Sequence, residues 1–278
     1  MTPTPSTEPR PEPRTYEIRI EGHLDLRWAS RFDGMTLTDD EDGTTAVRGV
    51  VIDQAALHGM LQRLRDAGLP LVSIVEVDPR VMRAAVSRRF GGPEVVELRD
   101  IARPVPAADE LIIRVHASTV SAADHRARSR DVPAGLLIPS SLVLGVFRPR
   151  RPVLGMDAAG TVVAVGDRVT RFAVGDEVLA MLGSRFGGHA EYAVVRPMDA
   201  VAAKPASLAF DDAASLIFGG ITARAYLRQA ALEPGARVLV NGAFGAVGTA
   251  AVQLAKAAGA HVTGVSSAAN QALVSSLG

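Results

Sequence analysis

The sequence predicts a chain of mixed class, α/β and β. A small α+β module comes first, then a β domain, then the opening βαβ unit of a parallel α/β sheet. Three observations predict it. Residues 16–78 alternate apolar and polar positions around one helical stretch. Residues 82–202 are short β-rich runs broken by Gly, Pro and Asp. From residue 203 the period lengthens to that of a helix, and a continuous apolar run then leads into a glycine-rich turn.

Taken in order, residues 1–15, "MTPTPSTEPRPEPRT", carry proline at almost every second position. Proline donates no hydrogen bond to a ladder, and no core residues accompany it, so a disordered tail is expected. The segment has no apolar stretch that would make it a secretory signal. Residues 16–80 form the α+β module. "YEIRIEG" alternates, and the acidic "DDEDG" between β-rich runs signals a hairpin. "DQAALHGMLQRLRDAGL" places Ala55, Leu57, Leu61 and Leu64 on a helical face, with Asp53 as N-cap and Gly68 as stop. "PLVSIVEVD" closes the module as a strand. His23, Asp25 and Asp33 are scattered and read as solvated surface. Met82, preceding the alternating "RAAVS", reads as an internal translation start, so a fusion joint is expected between Val77 and Arg83.

The second block, residues 82–202, contains "ELIIRVHASTV", "GMDAAGTVVAVGD", "GDEVLAML" and "HAEYAVV". Close strand spacing predicts a twisted, barrel-like β domain with little helix beyond residues 122–130. In the third block, residues 203–278, Phe210, Ala214, Leu216, Ile217 and Ala223 recur at helical spacing up to Pro234 and Gly235. "ARVLVNGA" is then a strand buried on both faces, followed by a helix stopped at Gly259 and a second strand, "HVTGV".

The turn between them is Gly242-Ala243-Phe244-Gly245-Ala246-Val247-Gly248. Such spacing is weak alone, but after a strand and before a helix it is the dinucleotide fingerprint of a Rossmann fold. Gly242 permits the tight turn, and Gly245 lets backbone N–H groups approach a pyrophosphate. Gly248 lets the helix pack on the strand, and the helix N-terminus faces the phosphate charge. At the end of the second strand stand Ser266 and Ser267, with no carboxylate to repel a 2′-phosphate, so NADP(H) is favoured over NAD; no Lys or Arg follows to hold it.

Composition excludes other classes. Thirty basic side chains are balanced by thirty acidic ones, so the overall charge points to neither nucleic acid nor an anionic membrane. No run is long enough to span a bilayer. The absence of cysteine fits a reducing cytoplasm and removes every thiolate from the candidate metal ligands.

From Met82 onward the chain resembles the medium-chain dehydrogenase/reductase superfamily, in its zinc-independent quinone-oxidoreductase branch. The residues that carry the resemblance are "MRAAVSRRFGGPEVVEL", "ASTVSAADHRARS", "PVLGMDAAGTVVAVG", "VTRFAVGDEVLAM", "GGHAEYAVV" and the glycine-rich turn, in the family's order. The resemblance implies a GroES-like domain over 82–202 and a partial Rossmann domain over 203–278, with NADPH between them. Its zinc-binding members use three positions that here hold Ser121, Met156 and Phe218, a set that cannot make a zinc site. His116, His125, His189 and His261 form no ligand-spaced pair and read as structural or surface. The Asn, Asp and Tyr that line the family's substrate cleft correspond to Ser121, Asp124 and Arg126. Arg126 would supply a cation to a developing oxyanion or simply pair with Asp124. Thr222 corresponds to a position near the nicotinamide, or bonds back to its own helix.

The expected activity is hydride transfer from NADPH to a small quinone, enone or related carbonyl compound. The alternative is a truncated, inactive remnant serving as a binding or regulatory unit. The family usually forms homodimers through later Rossmann strands, which this chain does not contain.

Overall fold

The computed structural model describes residues 14–24, 35–39, 43–133, 135 and 137–277. They fall into two compact units that divide between Val81 and Met82.

The first unit is a four-stranded sheet with one helix. β1 (Arg14–Glu21), β2 (Met35–Asp39), β3 (Thr44–Val51) and β4 (Leu71–Val77) lie in the order β2-β3-β1-β4. β1 is antiparallel to both β3 and β4, so the helix α1 (Gln54–Asp66) carries the chain across β1 from one neighbour to the other. Alternation puts Ile18, Ile20, Val47 and Val51 on one face, where they enclose Met60 and Leu64 of the helix. The Asp53 side chain accepts from the Ala56 N–H at 2.7 Å, and Gly68 adopts φ 68° just past the helix, as the sequence predicts. The tail expected over residues 1–15 is corrected at its last two positions. Arg14 and Thr15, lying past the last proline, pair with Val51 and Val50 in the ladder. β2 and β3 do pair as a hairpin. Residues 40–42 of its turn, together with Asp25, Asp33 and residues 1–13, lie outside the described residues; His23 is exposed.

In the second unit, β5 (Val81–Ser87) pairs with β6 (Val96–Ala102). The main sheet holds β7 (Leu111–Ala117), β8 (Asp157–Val165), β9 (Glu177–Met181), β10 (Tyr192–Val195) and β11 (Ala200–Ala203), in the order β10-β7-β8-β9-β11. All neighbours are antiparallel. Leu111, Ile113, Val162 and Val178 form its main core, while Ile112 packs with Met82 and Tyr192 on the opposite face. The sequence predicts a barrel-like domain; no closed barrel ladder is present among the described residues, and the strand pairing of β5 to this region consists of the single bridges Ala84↔Ala190 and Val86↔Val153. The helix expected near residues 122–130 is α2 (Ala122–Ser129), but a second helix, α3 (Leu137–Leu144), was not expected. Its "LIPSSLVL" has no polar face to produce a helical period, and this hid it.

α4 (Phe210–Gln229) ends earlier than Pro234, with Ala231 turning to φ 46°. Ala213, Ala214, Ile217, Gly219 and Ala223 are its buried residues, whereas Leu216 is about half exposed. β12 (Arg237–Asn241), α5 (Ala246–Ala257) and β13 (His261–Val265) complete a parallel βαβ unit, followed by α6 (Gln271–Ser276). Val240, Ala243 and Val252 form its core.

Candidate cofactor and substrate cavities

The glycine-rich turn is built by backbone chemistry. Gly242 takes φ 78°, a conformation that favours glycine, and the N–H groups of Gly242 and Ala243 both donate to the Val265 carbonyl at 3.0 Å. The end of β13 is thereby tied to the turn, and Ser266 and Ser267 follow directly. Gly248 is needed for packing. A Cβ there would sit 2.1 Å from the Gly242 carbonyl oxygen and 2.8 Å from Ala243 Cα. α5 has Gly245 as its N-cap, which offers no side chain to cap it, and the N–H groups of Ala246, Val247 and Gly248 have no acceptor among the described residues. A helix N-terminus with free donors is an anion site by construction. These residues line a cavity of about 810 Å³, together with Gly242, Gly245, Thr119, Ser121, Phe218 and Tyr226. A pyrophosphate fits this donor set. Ser267 accepts from Asn270 Nδ2 at 3.1 Å, and the Ser266 hydroxyl donates weakly to the Ser267 carbonyl at 3.3 Å. Thr222 is half-buried on α4 and is not among the residues lining this cavity. From α4, Ser215, Phe218, Gly219, Tyr226 and Leu227 line it instead.

A second cavity, of about 460 Å³, adjoins the first, since Ala122 and Phe218 line both. Its other walls include Ala127, Val143, Leu144, Met156 and Phe186, with Arg126 at the side. The residues grouped as a catalytic set are therefore separated by role. Ser121 and Asp124 form a capping box at the start of α2: the Ser121 N–H and hydroxyl donate to Asp124 Oδ2 at 2.8 and 2.6 Å, and the Asp124 N–H donates to Ser121 Oγ at 3.3 Å. The Gly155 N–H donates to the other carboxylate oxygen at 2.9 Å. Asp124 is buried, both its oxygens are engaged, and it lines neither cavity. Arg126 does not pair with it: no such ion pair or hydrogen bond is present among the described residues, and Arg126 is exposed. Ser121 faces the larger cavity, while Met156 and Phe218 meet in the smaller one. A hydroxyl, a thioether and a phenyl ring do not fit a zinc ion, and no cluster of three His, Cys, Asp or Glu suited to a metal occurs among the described residues.

One polar pair was missed in the sequence. Asp157, fully buried on β8, accepts from the Thr119 N–H at 2.8 Å and from its hydroxyl at 2.6 Å. Burial pushes the Asp157 carboxyl above the ordinary carboxylate range, and the two Thr119 bonds oppose that rise. The Thr119 carbonyl in turn lies 2.9 Å from His189 Nε2, so Thr119 is fixed from two sides where it lines the larger cavity. The one available signal was an acidic residue inside the apolar run "VLGMDAAGTVV". His189 is structural, as expected. His116 stacks on Phe210 at 4.1 Å, and burial lowers its basicity.

The sheet, its capped helix and the strand–turn–helix–strand unit define a GroES-like domain joined to the opening of a dinucleotide-binding fold. Residues 107–206 match the family "Alcohol dehydrogenase GroES-like domain", and residues 15–75 match a "Domain of unknown function (DUF8691)". The chain is 37% identical over 187 residues to the quinone oxidoreductase of Homo sapiens, covering 66% of this chain and 53% of the relative. It is 35% identical over 184 residues to that of Pseudomonas aeruginosa, covering 66% and 52%. The solved quinone oxidoreductase of Coxiella burnetii superposes with a TM-score of 0.63 at 30% identity, covering 71% of this chain and 60% of that one. The chain spans about half the length of the curated relatives it matches. Over residues 107–206 it carries an alcohol dehydrogenase GroES-like domain, and from Met82 onward it is similar to quinone oxidoreductases of the medium-chain dehydrogenase/reductase superfamily.

Proposed function

We propose that residues 82–278 serve a metal-free, NADP-dependent reduction of quinones, enones or related carbonyl compounds. The observation that carries this reading is the run of three N–H groups without an acceptor among the described residues at the start of α5, lining a cavity that shares Ala122 and Phe218 with an apolar one beside Arg126. The N–H groups of Ala246, Val247 and Gly248 would hold the pyrophosphate, and Ser266 and Ser267 would accept a 2′-phosphate without charge repulsion. When bound, NADPH supplies a hydride for the quinone ring or the enone β-carbon. Arg126 would hold the substrate oxygen as negative charge develops there. Ser121 and Asp124 position α2, and with it Arg126; the apolar walls exclude water. Thr222 is assigned no contact in this reading. Residues 16–80 would be a separable module, and the cysteine-free composition supports a reducing compartment, the cytoplasm.

A second reading, a catalytically silent binding unit, is favoured by one observation: Leu239 on β12 is 69% exposed, which leaves that strand bare on one face. Isothermal titration of the chain with NADPH separates the two. Micromolar binding that disappears in Gly248→Val, whose side chain collides with the turn, supports the reductase. No binding by the unaltered, folded chain supports the silent unit.

A further inference from the structure

The wall that α3 gives to the smaller cavity continues outward into an exposed apolar tip. Leu142 is 65% exposed, Val143 52%, Val146 51% and Phe147 95%. Single exposed apolar residues are ordinary, but four within six positions, one of them a nearly bare phenyl ring, form a patch. The tip is held in shape. The Arg150 N–H donates to the Leu144 carbonyl at 2.9 Å and its guanidinium to the Leu142 carbonyl. Arg130 donates to the Val146 carbonyl at 2.5 Å and to Ser141 Oγ at 2.8 Å.

Along the chain, the charge that follows the tip has one sign. Arg148, Arg150 and Arg151 follow Phe147 and are exposed, and no Asp or Glu occurs between residues 132 and 156. The acidic residues bounding this stretch are Asp131, which is exposed, and Asp157, which is buried against Thr119. A neutral total conceals this basic segment, because the compensating carboxylates lie elsewhere. An apolar tip followed directly by three exposed arginines matches the chemistry of an anionic bilayer, with rings and methyls at the acyl boundary and guanidinium groups among the phosphates.

We infer that residues 142–151 dock this protein reversibly on an anionic lipid surface. Val143 belongs both to the tip and to the wall of the smaller cavity, so docking places that cavity beside the bilayer. On the functional reading proposed above, which this consequence rests on, the substrate is a lipid-dissolved quinone that enters from the membrane.

The test is cosedimentation of the full chain with phosphatidylcholine vesicles, with and without phosphatidylserine. Binding is expected only when phosphatidylserine is present, and it weakens with added salt. Arg148→Gln and Arg151→Gln should each weaken it about fivefold, and Phe147→Ser about tenfold, with unchanged circular dichroism. None of these side chains makes a hydrogen bond among the described residues, so folding should survive. The inference is overturned by equal binding to neutral vesicles, by no binding at all, or by variants that bind like the parent. A concentration-dependent dimer lost in Phe147→Ser, without vesicle binding, would assign the patch to a second copy instead. No arm requires cofactor or turnover, so failure here leaves the reductase reading intact, and failure of that reading leaves vesicle binding intact.

Discussion

Strands β7, "LIIRVHA", and β12, "RVLVN", are made from the same kinds of residue and end in opposite surroundings. Leu111, Ile112 and Ile113 are at most 1% exposed, because β7 lies between β10 and β8 and both faces are covered. β12 has β13 as its ladder partner among the described residues. Its Val240 turns toward α5 and is buried, while Leu239, one residue away, turns to the other face and is 69% exposed. An apolar run states that a strand can be covered on both faces. Which faces are covered depends on neighbours that the run does not encode.

The comparison breaks most visibly in stability. Ile113→Ala should cost about 2–5 kcal/mol, since it opens a cavity in a closed core. Leu239→Ala should stay within about 0.5 kcal/mol. Denaturant midpoints measure both; similar losses would mean that Leu239 is covered in solution and that the two strands are alike after all.

A smaller effect sharpens the contrast between the closed core and the open cavity wall. Asp157 anchors Thr119 from inside the sheet, and burial raises its folded pKa above the unfolded value. Stability linked to a raised pKa is full below the unfolded value of 3.8 and is lost as pH rises through the folded one. Asp157→Asn keeps partners for Thr119 but cannot ionise. Melting temperatures across the acid-to-neutral range should therefore show the parent losing stability relative to the variant as pH rises. Parallel curves would place water beside Asp157.

The mildest expected change lies at the open end of β13. If NADPH binds as proposed, Ser266→Asp should lower the NADPH-to-NADH affinity ratio about tenfold through repulsion of the 2′-phosphate. An unchanged ratio in titrations would place the ribose elsewhere.

Much of the candidate site was legible because its determinants are local. The turn at Gly242–Gly248 depends on φ freedom and on the lack of a Cβ, both properties of single residues, and α1 was bounded correctly by Asp53 and Gly68. α3 was not legible, since the two serines in its octet are adjacent and the apolar residues around them follow no helical period. The grouping of Ser121, Asp124 and Arg126 as one set was too generous. All three start α2, but helical rotation sends Asp124 inward to Gly155 and Arg126 into the smaller cavity.

The sequence by itself determined α1 with its cap and stop, the glycine turn and its flanking strands, the residue types at Ser121, Met156 and Phe218, and the resemblance of the second unit to quinone oxidoreductases. Only the tertiary structure decided that Asp124 is buried against the Gly155 N–H, that Thr119 is held by Asp157, and that Phe147 stands bare. The physical reason is range. Turns and caps are set by residues within a few positions of each other, whereas burial and charge pairing are set by residues far apart in the chain. Thr119 and Asp157 are 38 positions apart, and no spacing rule in a single sequence joins them.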